Sequence, residues 1–417
     1  MSNLLINGGN KIVGSITAHG AKNSALPLLA ATLLCGGQSV LHNCPDLSDV
    51  DAAMKILGYL GARCKREGSS VIVDSTDIQK NEIPDELMRE MRSSIVFLGA
   101  IIGRTGGAVV SSPGGCELGP RPIDLHISAL KQMGVVITED YGYLRCEAPF
   151  GLKGADITLQ FPSVGATENI ILASVLAKGE TIIRNAAKEP EIIDLADFLI
   201  GCGAKIRGAG NDTIHIKGVN RLGTTEHYVI PDRIEAATFL AAAAATKGKI
   251  EVKGVRPEHM RSILSVFREI GCQVSCKKDS IYLENNHELR GVPMIKTLVY
   301  PGFPTDAGPP ILTMLALAKT PTLFIENIFE NRFRYIDELK RLGAKIRTHG
   351  NVALIDSAQK FTGANTSATD HRGGAALVVA ALAAEGQTKI DNIYHIDRGY
   401  EKIERCFEIL GADIKRI

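Results

Sequence analysis

The stretch at residues 58–73, GYLGARCKREGSSVIV, contains the pattern on which the fold depends. An amphipathic helical pattern ends at Gly61, and alternating apolar residues follow it. Glycine at this point is typical of a left-handed helix C-cap, and the alternation is typical of two short strands. The pattern recurs at intervals of 68–73 residues, at Gly134, Gly203, Gly271, Gly343 and Gly411. The chain is therefore predicted to contain six related units of about 70 residues.

A second recurring element lies between these glycines. It is an apolar helix rich in small residues, followed by a β-branched strand, as in SALPLLAATLLCGGQSVLHN (24–43) and EAATFLAAAAATKGKIEVKG (235–254). A helix that is apolar almost all round is predicted to be buried. Each unit is thus expected to combine strands with one buried and one amphipathic helix.

The sixth unit is shorter than the others, because it ends at Ile417 after the single strand IKRI. The segment LLING at 4–8 is predicted to supply the missing strand. This predicts one domain at 22–230 and a second at 1–21 plus 231–417, closed by both ends of the sequence. Crossings near residues 21 and 230 would form a hinge beside a ligand cleft. The alternative is an open solenoid.

Composition excludes several classes of protein. Of the 417 residues, 45% are hydrophobic and 22% charged, with a net charge of +1, which argues against a broadly basic nucleic-acid binder or a disordered chain. The longest apolar run, 373–384, is shorter than the roughly 18–20 residues of a membrane span. The start of the sequence does not resemble a secretory signal. A cytoplasmic protein with no nucleic-acid, membrane or obligatory protein partner is expected.

Neither a cofactor nor a metal is predicted. The nine cysteines form no CxxC pair, and most are expected to be ordinary core side chains. The P-loop, GxGxxG, GxSxG and HExxH motifs are all missing from the sequence.

Cys116 is the strongest candidate for chemistry. It lies in SSPGGCELGPRPIDLHI (111–127), where glycines and prolines predict an exposed loop. A free cysteine is usually buried, so one at a loop tip near Arg121 is a candidate reactive thiol. A loop cysteine with no role is the alternative.

Two further segments contain candidate polar groups. Lys22 and Asn23 lie at the predicted start of the first buried helix, where a lysine and free N–H groups suit an anion; a solvated lysine is the alternative. Asp306, in YPGFPTDAGPP (300–310), is either an ordinary N-cap or a general base toward a hydroxyl.

Arginines recur at the junctions between units, in several cases in the same place, after the last strand and before the buried helix. In a nearly neutral protein such a group of cations predicts a local anion site, although each alone is more typical of a solvated side chain. These residues are Arg92, Arg233, Arg332, Arg372 and Arg398.

Eight motifs, in order along the chain, resemble those of the UDP-N-acetylglucosamine enolpyruvyl transferases (1-carboxyvinyltransferases). They are GAKNSALP, MRSSI, PGGCELGPRPIDLHI, PSVGATENI, PDRIEAATF, FPTD, FENRF and HIDRGYE. The resemblance implies a two-domain inside-out α/β barrel, each domain with three repeated units around buried helices. It also implies transfer of the enolpyruvyl group of phosphoenolpyruvate to the 3-hydroxyl of UDP-N-acetylglucosamine, with release of phosphate, in peptidoglycan synthesis.

The resemblance also implies a role for each candidate residue. Cys116 would donate a proton to phosphoenolpyruvate and be the target of fosfomycin, and Asp306 would accept or position the hydroxyl proton. Lys22, Arg121 and Arg398 would hold phosphoenolpyruvate, Asn23 would place the reacting groups, and Arg332 and Arg372 would support the anionic intermediate. The UDP-sugar would be bound by Arg92, Arg121, Pro122, Ile123, Asp124, Leu125, Ser163, Val164, Gly165, Asp306 and Ile328.

Three departures from the family pattern concern the substrate contacts. Gly308 replaces a common Gln, Phe161 precedes the Pro where some relatives carry a Lys, and His371 replaces a common Leu. Alternative functions are a 5-enolpyruvylshikimate-3-phosphate synthase, a catalytically silent nucleotide-sugar binder, and a structural repeat scaffold.

Overall fold

The computed structural model describes residues 2–91, 94–111, 123–357 and 360–417. The chain forms two compact units. Of the described residues, those between 20 and 230 form the internal unit, and those from 2 to 19 and after 230 form the terminal unit. In the described ranges, no helix combines the length and the apolar composition that crossing a bilayer requires.

The terminal unit begins with two strands, β1 (Leu4–Asn7) and β2 (Val13–Thr17). The described part of the internal unit then contains, in chain order, α1 (Lys22–Thr32), β3 (Gln38–His42), α2 (Ser48–Leu60), β4 (Arg63–Glu67), β5 (Ser70–Asp74), β6 (Glu82–Ile83), α3 (Asp85–Glu90), α4 (Phe97–Thr105), β7 (Gly107–Ser111), α5 (Asp124–Gln132), β8 (Val136–Asp140), β9 (Tyr143–Glu147), β10 (Asp156–Thr158), α6 (Val164–Ser174), β11 (Glu180–Arg184), α7 (Pro190–Gly201), β12 (Lys205–Arg207), β13 (Thr213–Lys217) and β14 (Glu226–Tyr228).

The terminal unit resumes after Ile230. Its described elements are α8 (Arg233–Ala245), β15 (Lys249–Lys253), α9 (Arg261–Glu269), β16 (Gln273–Cys276), β17 (Ser280–Glu284), β18 (Met294–Lys296), α10 (Gly308–Leu315), β19 (Thr322–Ile325), α11 (Ile336–Arg341), β20 (Lys345–His349), β21 (Val352–Asp356), β22 (Phe361–Thr362), β23 (Asn365–Ser367), α12 (His371–Ala383), β24 (Ala384–Glu385), β25 (Gln387–Asp391), α13 (Tyr394–Asp397), α14 (Ile403–Ile409) and β26 (Asp413–Arg416). Short 3-10 turns span Ser94–Val96, Pro257–Met260, Thr305–Ala307 and Arg332–Tyr335.

Six four-stranded sheets within the described ranges share one topology. In each sheet an edge strand runs parallel to its neighbour, and the other two pairings are antiparallel. In the internal unit the strand orders are β14-β3-β5-β4, β6-β7-β9-β8 and β10-β11-β13-β12. In the terminal unit they are β16-β17-β15-β2, β18-β19-β21-β20 and β23-β25-β1-β26.

Strand β1 lies inside the last of these sheets. It pairs antiparallel with β25 on one side and with β26 on the other, so that Ile6 lies opposite both Thr388 and Ile414. Leu4 and Ile6 are fully buried, because alternate side chains of the strand face the core. The two ends of the described chain therefore meet in one sheet.

Three apolar helices are buried in each unit: α1, α4 and α6 in the internal unit, and α8, α10 and α12 in the terminal unit. Small residues let these helices approach closely. A Cβ at Gly99 of α4 would lie 2.3 Å from the carbonyl oxygen of Asn169 of α6, so only glycine fits there. Sheets cover the buried helices of each unit, and the predicted α/β fold class is confirmed.

The recurring glycine has the predicted backbone conformation in every unit. The six residues from Gly61 to Gly411 have φ values between +89° and +116°, a region that side chains with a Cβ rarely adopt. Each glycine ends its amphipathic helix and turns the chain into the next strand. The spacing of the six glycines along the sequence therefore matches the spacing of the repeated structural units.

Candidate active site

Asp306 lies at the centre of a cluster of charged groups in the terminal unit. It is part of the 3-10 turn that leads directly into α10. Its Oδ1 accepts a hydrogen bond of 2.8 Å from Nη2 of Arg332, and its Oδ2 one of 3.3 Å from Nε of Arg372. The Asp306 side chain is 21% exposed, whereas the two arginine side chains are almost completely buried. A partly accessible carboxylate is thus held between two buried guanidinium groups.

Several positive charges act on the carboxylate of Asp306. Burial alone would raise the pKa of Asp306, but the charges of Arg372 and Arg332, with smaller contributions from His371 and Arg233, hold it well below its ordinary value. Among the described residues, Nε and Nη1 of Arg332 and Nη1 of Arg372 are buried without a hydrogen-bond partner. Buried polar groups normally have partners, so these N–H groups favour binding of an anion.

The position of Arg372 follows from the start of α12. Asp370 caps this helix, accepting from the backbone N–H of Arg372 and of Gly373 at 3.0 Å. The Arg372 guanidinium lies 5.2 Å from the centre of the Tyr400 ring, and the Tyr400 hydroxyl is 2.9 Å from Oγ1 of Thr238 in α8. Two buried helices and a tyrosine therefore fix the guanidinium beside Asp306.

Lys22 and Asn23 begin α1 in the internal unit, as predicted from the sequence. Lys22 is not solvated: it is 5% exposed, and its Nζ lies 2.6 Å from Oδ2 of the buried Asp49 in α2. The pairing satisfies both charges away from water. Asn23, by contrast, is exposed.

The segment from Ser163 to Gly165 forms the start of α6. Ser163 is the N-cap, and its hydroxyl accepts from the backbone N–H of Ala166 at 3.3 Å; Val164 is the first helical residue. A Cβ at Gly165 would lie 3.2 Å from the His126 ring, so glycine permits this close packing. Free N–H groups at such a helix start suit an anionic ligand.

The remaining predicted binding residues lie at other element ends. Ile123 precedes α5, and Asp124 and Leu125 begin it. Ile328 is half-buried in the loop after β19, and Arg398 directly follows α13. Four predicted residues, namely Cys116, Arg92, Arg121 and Pro122, lie outside the described residues.

The predicted common position of the arginines is wrong in part. Arg233 and Arg372 do stand in the first turn of the buried helices α8 and α12. Arg332 and Arg398 instead precede the amphipathic helices α11 and α14. The sequence did not show which arginines precede a buried helix and which precede an amphipathic one. Short 3-10 and helical turns lie between strand and helix at Arg332 and Arg398 and obscure the pattern.

The structure shows what surrounds two of the three residues that depart from the family pattern, Gly308 and His371. A Cβ at Gly308 would lie 3.0 Å from Cζ of Phe324, so a longer residue there requires the ring to move. His371 is the first residue of α12 and adds positive charge near Asp306. Phe161 is an exposed side chain before α6.

Three residues that contact the predicted candidates, or the segments around them, were not identified from the sequence. Asp49 and Tyr400 hold Lys22 and Arg372, and Glu326 accepts hydrogen bonds from the turn and the loop around Asp306. Asp49 lies in an acidic first turn of an amphipathic helix, which is typical of any helix start. Glu326 directly follows the strand TLFI (322–325), and an acid at the end of a strand is commonly solvated.

Among the described residues, His19, Glu235 and Cys406 form a group whose potential metal-ligand atoms lie within 4.8 Å of one another. Nδ1 of His19 is 2.8 Å from Oε1 of Glu235, and the His19 backbone N–H donates to Oε2 at 2.8 Å. Burial opposes a charged His19, but the hydrogen bond and charge of Glu235 outweigh it and raise the pKa of His19 to about 9. We interpret the group as an ion pair rather than a metal site.

Replacing His19 by Gln is expected to destabilise the protein in a pH-dependent way. A raised folded-state pKa adds stability below the unfolded pKa of about 6.5, and this stability is lost as pH rises through about 9. Because the ring is one-third exposed, we expect a loss of about 1–2 kcal/mol in unfolding free energy at pH 6. Urea unfolding of parent and variant should show this gap nearly closing by pH 10. An equal gap at both pH values would contradict the ion pair.

A family model described as EPSP synthase (3-phosphoshikimate 1-carboxyvinyltransferase) matches residues 6–407. The chain therefore belongs to this family of enolpyruvyl transferases. Two solved structures share the fold. The enolpyruvyl transferase NikO from Streptomyces tendae has a TM-score of 0.90 at 25% identity, covering 100% of this chain and 98% of that one. An EPSP synthase from Acinetobacter baumannii has a TM-score of 0.75 at 18% identity, with full coverage of both chains.

Proteins with higher sequence identity to this chain are named as one particular kind of enolpyruvyl transferase. UDP-N-acetylglucosamine 1-carboxyvinyltransferase 2 of Caldanaerobacter subterraneus subsp. tengcongensis is 51% identical over 417 residues, which is 100% of both chains. UDP-N-acetylglucosamine 1-carboxyvinyltransferase 1 of Symbiobacterium thermophilum is 46% identical and covers 99% of this chain and 95% of its own.

Proposed function

We propose that this protein transfers the enolpyruvyl group of phosphoenolpyruvate to the 3-hydroxyl of UDP-N-acetylglucosamine and releases phosphate. The observation that carries the proposal is the 51% identity, over the full length of both chains, with a UDP-N-acetylglucosamine 1-carboxyvinyltransferase. The reaction is the first committed step of peptidoglycan synthesis. Both substrates are charged and do not cross a bilayer unaided, so the reaction is assigned to the cytoplasm.

The reaction proceeds by addition and elimination. In the addition, Cys116 gives a proton to the methylene carbon of phosphoenolpyruvate, while Asp306 takes or positions the proton of the sugar hydroxyl as its oxygen bonds to C2. In the elimination, the new methyl group returns a proton to the Cys116 thiolate, and the C–O bond to phosphate breaks as the departing phosphate takes up the proton released by the sugar hydroxyl. The products are the enolpyruvyl ether and inorganic phosphate, so atoms and protons balance.

Cationic residues hold the substrates during both steps. Lys22, Arg121 and Arg398 bind phosphoenolpyruvate, and Asn23 places the reacting groups. Arg332 and Arg372 support the anionic intermediate. The unpartnered N–H groups of these two buried arginines support this assignment, because fixed donors stabilise charge without reorganisation during the reaction.

The UDP-sugar is assigned to a separate group of residues. Val164 and Gly165 offer the backbone N–H groups at the start of α6 to its phosphates, and Ser163, the N-cap, belongs to the same group. The others in this group are Arg92, Arg121, Pro122, Ile123, Asp124, Leu125, Asp306 and Ile328.

The proposal is tested by measuring phosphate release from phosphoenolpyruvate with two acceptors. We expect release with UDP-N-acetylglucosamine and none with shikimate 3-phosphate. The reverse preference would identify the protein as an EPSP synthase, the enzyme after which the matching family model is named. Release with neither acceptor, together with binding of the UDP-sugar, would identify a catalytically silent relative. Both outcomes would contradict the proposal.

A further inference from the structure

Glu326 is a buried acid directly after β19, and the reaction steps above do not use it. It is 2% exposed. Its backbone N–H donates to the carbonyl oxygen of Asn351 at 2.8 Å, and its own carbonyl oxygen accepts from Nδ2 of Asn351 at 3.0 Å. The main chain at Glu326 is thus fixed to the neighbouring hairpin, and the side chain projects from a rigid point.

The Glu326 carboxylate accepts four hydrogen bonds. Its Oε1 accepts from Oγ1 of Thr297 at 2.9 Å and from the backbone N–H groups of Ile328 and Phe329 at 2.8 and 3.2 Å. Its Oε2 accepts from Oγ1 of Thr305 at 2.8 Å. Both carboxylate oxygens are thus engaged by neighbouring groups of the protein. Its role is to hold other groups in place.

Three of these bonds join two segments that matter for the chemistry, and the fourth comes from Thr297, directly after β18. One is the turn that contains Asp306, reached through the hydroxyl of the preceding Thr305. The other is the loop that runs from Glu326 to Arg332 and includes Ile328. Arg332 closes the connection from the far end, because its Nη2 donates both to the carbonyl oxygen of Thr305 at 3.0 Å and to Oδ1 of Asp306 at 2.8 Å. Thr305 is therefore held through its side chain and its main chain at once.

Such a connection matters more for rate than for binding. A displacement of about 1 Å in a reacting group can cost roughly a hundredfold in rate, and Asp306 lies in a 3-10 turn of only three residues. Hydrogen bonds to a buried charged group are also stronger than neutral ones. A single carboxylate can therefore fix the turn and the loop with respect to each other.

We propose that Glu326 is a positioning residue that sets the place of Asp306, and with it the reacting hydroxyl, through the hydroxyl group of Thr305. This inference rests on the proposed function and concerns the same site. It assigns Glu326 to the chemical step and not to the binding of either substrate.

The test compares Thr305→Val, which removes only the link to Glu326, with Thr305→Ser, which keeps it. For Thr305→Val we expect kcat to fall about tenfold or more while KM for both substrates stays within about threefold. For Thr305→Ser we expect kcat within about twofold of the parent. Glu326→Gln should lower kcat as well, and adding Thr305→Val to it should have little further effect, because the two residues act through one bond.

Thr322→Val is the matched control. Thr322 is also a buried threonine of the terminal unit, and its hydroxyl accepts from the backbone N–H of Val292 at 3.1 Å, away from Asp306. This variant should lose thermal stability to a similar extent and keep its kcat. A parental kcat in Thr305→Val, or an equal loss of kcat in Thr322→Val, would overturn the inference. Failure of the proposed function is distinguishable, because it would already appear as an inactive parent.

Discussion

Replacing Asp306 by Asn lowers kcat by an expected factor of about 10²–10⁴, while the Kd for UDP-N-acetylglucosamine stays within about threefold. Asn has the same shape and can still accept the hydrogen bond from Nη2 of Arg332. It cannot take up a proton, and it removes the carboxylate charge that pairs with Arg332 and Arg372. Phosphate release and calorimetric titration with the UDP-sugar measure the two effects separately.

Asp337→Asn is a suitable control, since this acid lies in the same unit but is 84% exposed and pairs only with Lys340. It should behave as the parent. Loss of UDP-sugar binding in Asp306→Asn, with an unchanged rate at saturation, would instead limit Asp306 to binding and remove it from the chemical step. Because the pKa of Asp306 lies well below its ordinary value, the parent should show no loss of kcat from Asp306 protonation as pH falls from 7 to 5.

Replacing Arg372 by Met is expected to separate activity from stability. Arg372 is completely buried and has a Nη1 with no hydrogen-bond partner in the described residues. The variant loses the contact of Arg372 with Asp306, although Asp306 keeps its shorter contact to Arg332. We therefore expect kcat to fall by about 10²–10³, while unfolding free energy falls by only about 1–3 kcal/mol.

Urea unfolding and phosphate release on the same preparation test this prediction. Arg347→Met is the control, because Arg347 forms an exposed pair with Asp356 and should contribute little to either quantity. A loss of more than about 3 kcal/mol with activity retained would identify Arg372 as part of a structural ion pair. The expected result, a large loss of activity with a smaller loss of stability, would instead identify a charge that is arranged for the transition state.

The repeat was predictable because it depends on local chemistry. A glycine after an amphipathic helix predicts a left-handed cap, and all six such glycines have that conformation. The apolar helices are equally local: α8, with a run of five alanines, is buried from Arg233 to Ala244. Edge strands such as β14 and β23 were not predicted, because three-residue strands have too few residues to show alternation.

The site was predictable only as a set of residue types. Arg332 and Arg372 follow Asp306 by 26 and 66 residues along the chain. No pattern within a single sequence shows that residues so far apart lie close together in space. Lys22 was predicted at its helix start, but its burial against Asp49 depends on how α2 packs on α1. Glu326 was missed because its partners come from a turn 21 residues earlier.

The inner position of β1 has a consequence for biosynthesis. Its partner β26 includes Asp413, which follows Asn7 by 406 residues. At about 5–20 residues per second on the ribosome, the first strand waits about 20–80 s for its neighbour. The internal unit emerges completely during this interval and can fold first, whereas the terminal unit can complete its last sheet only after translation reaches β26.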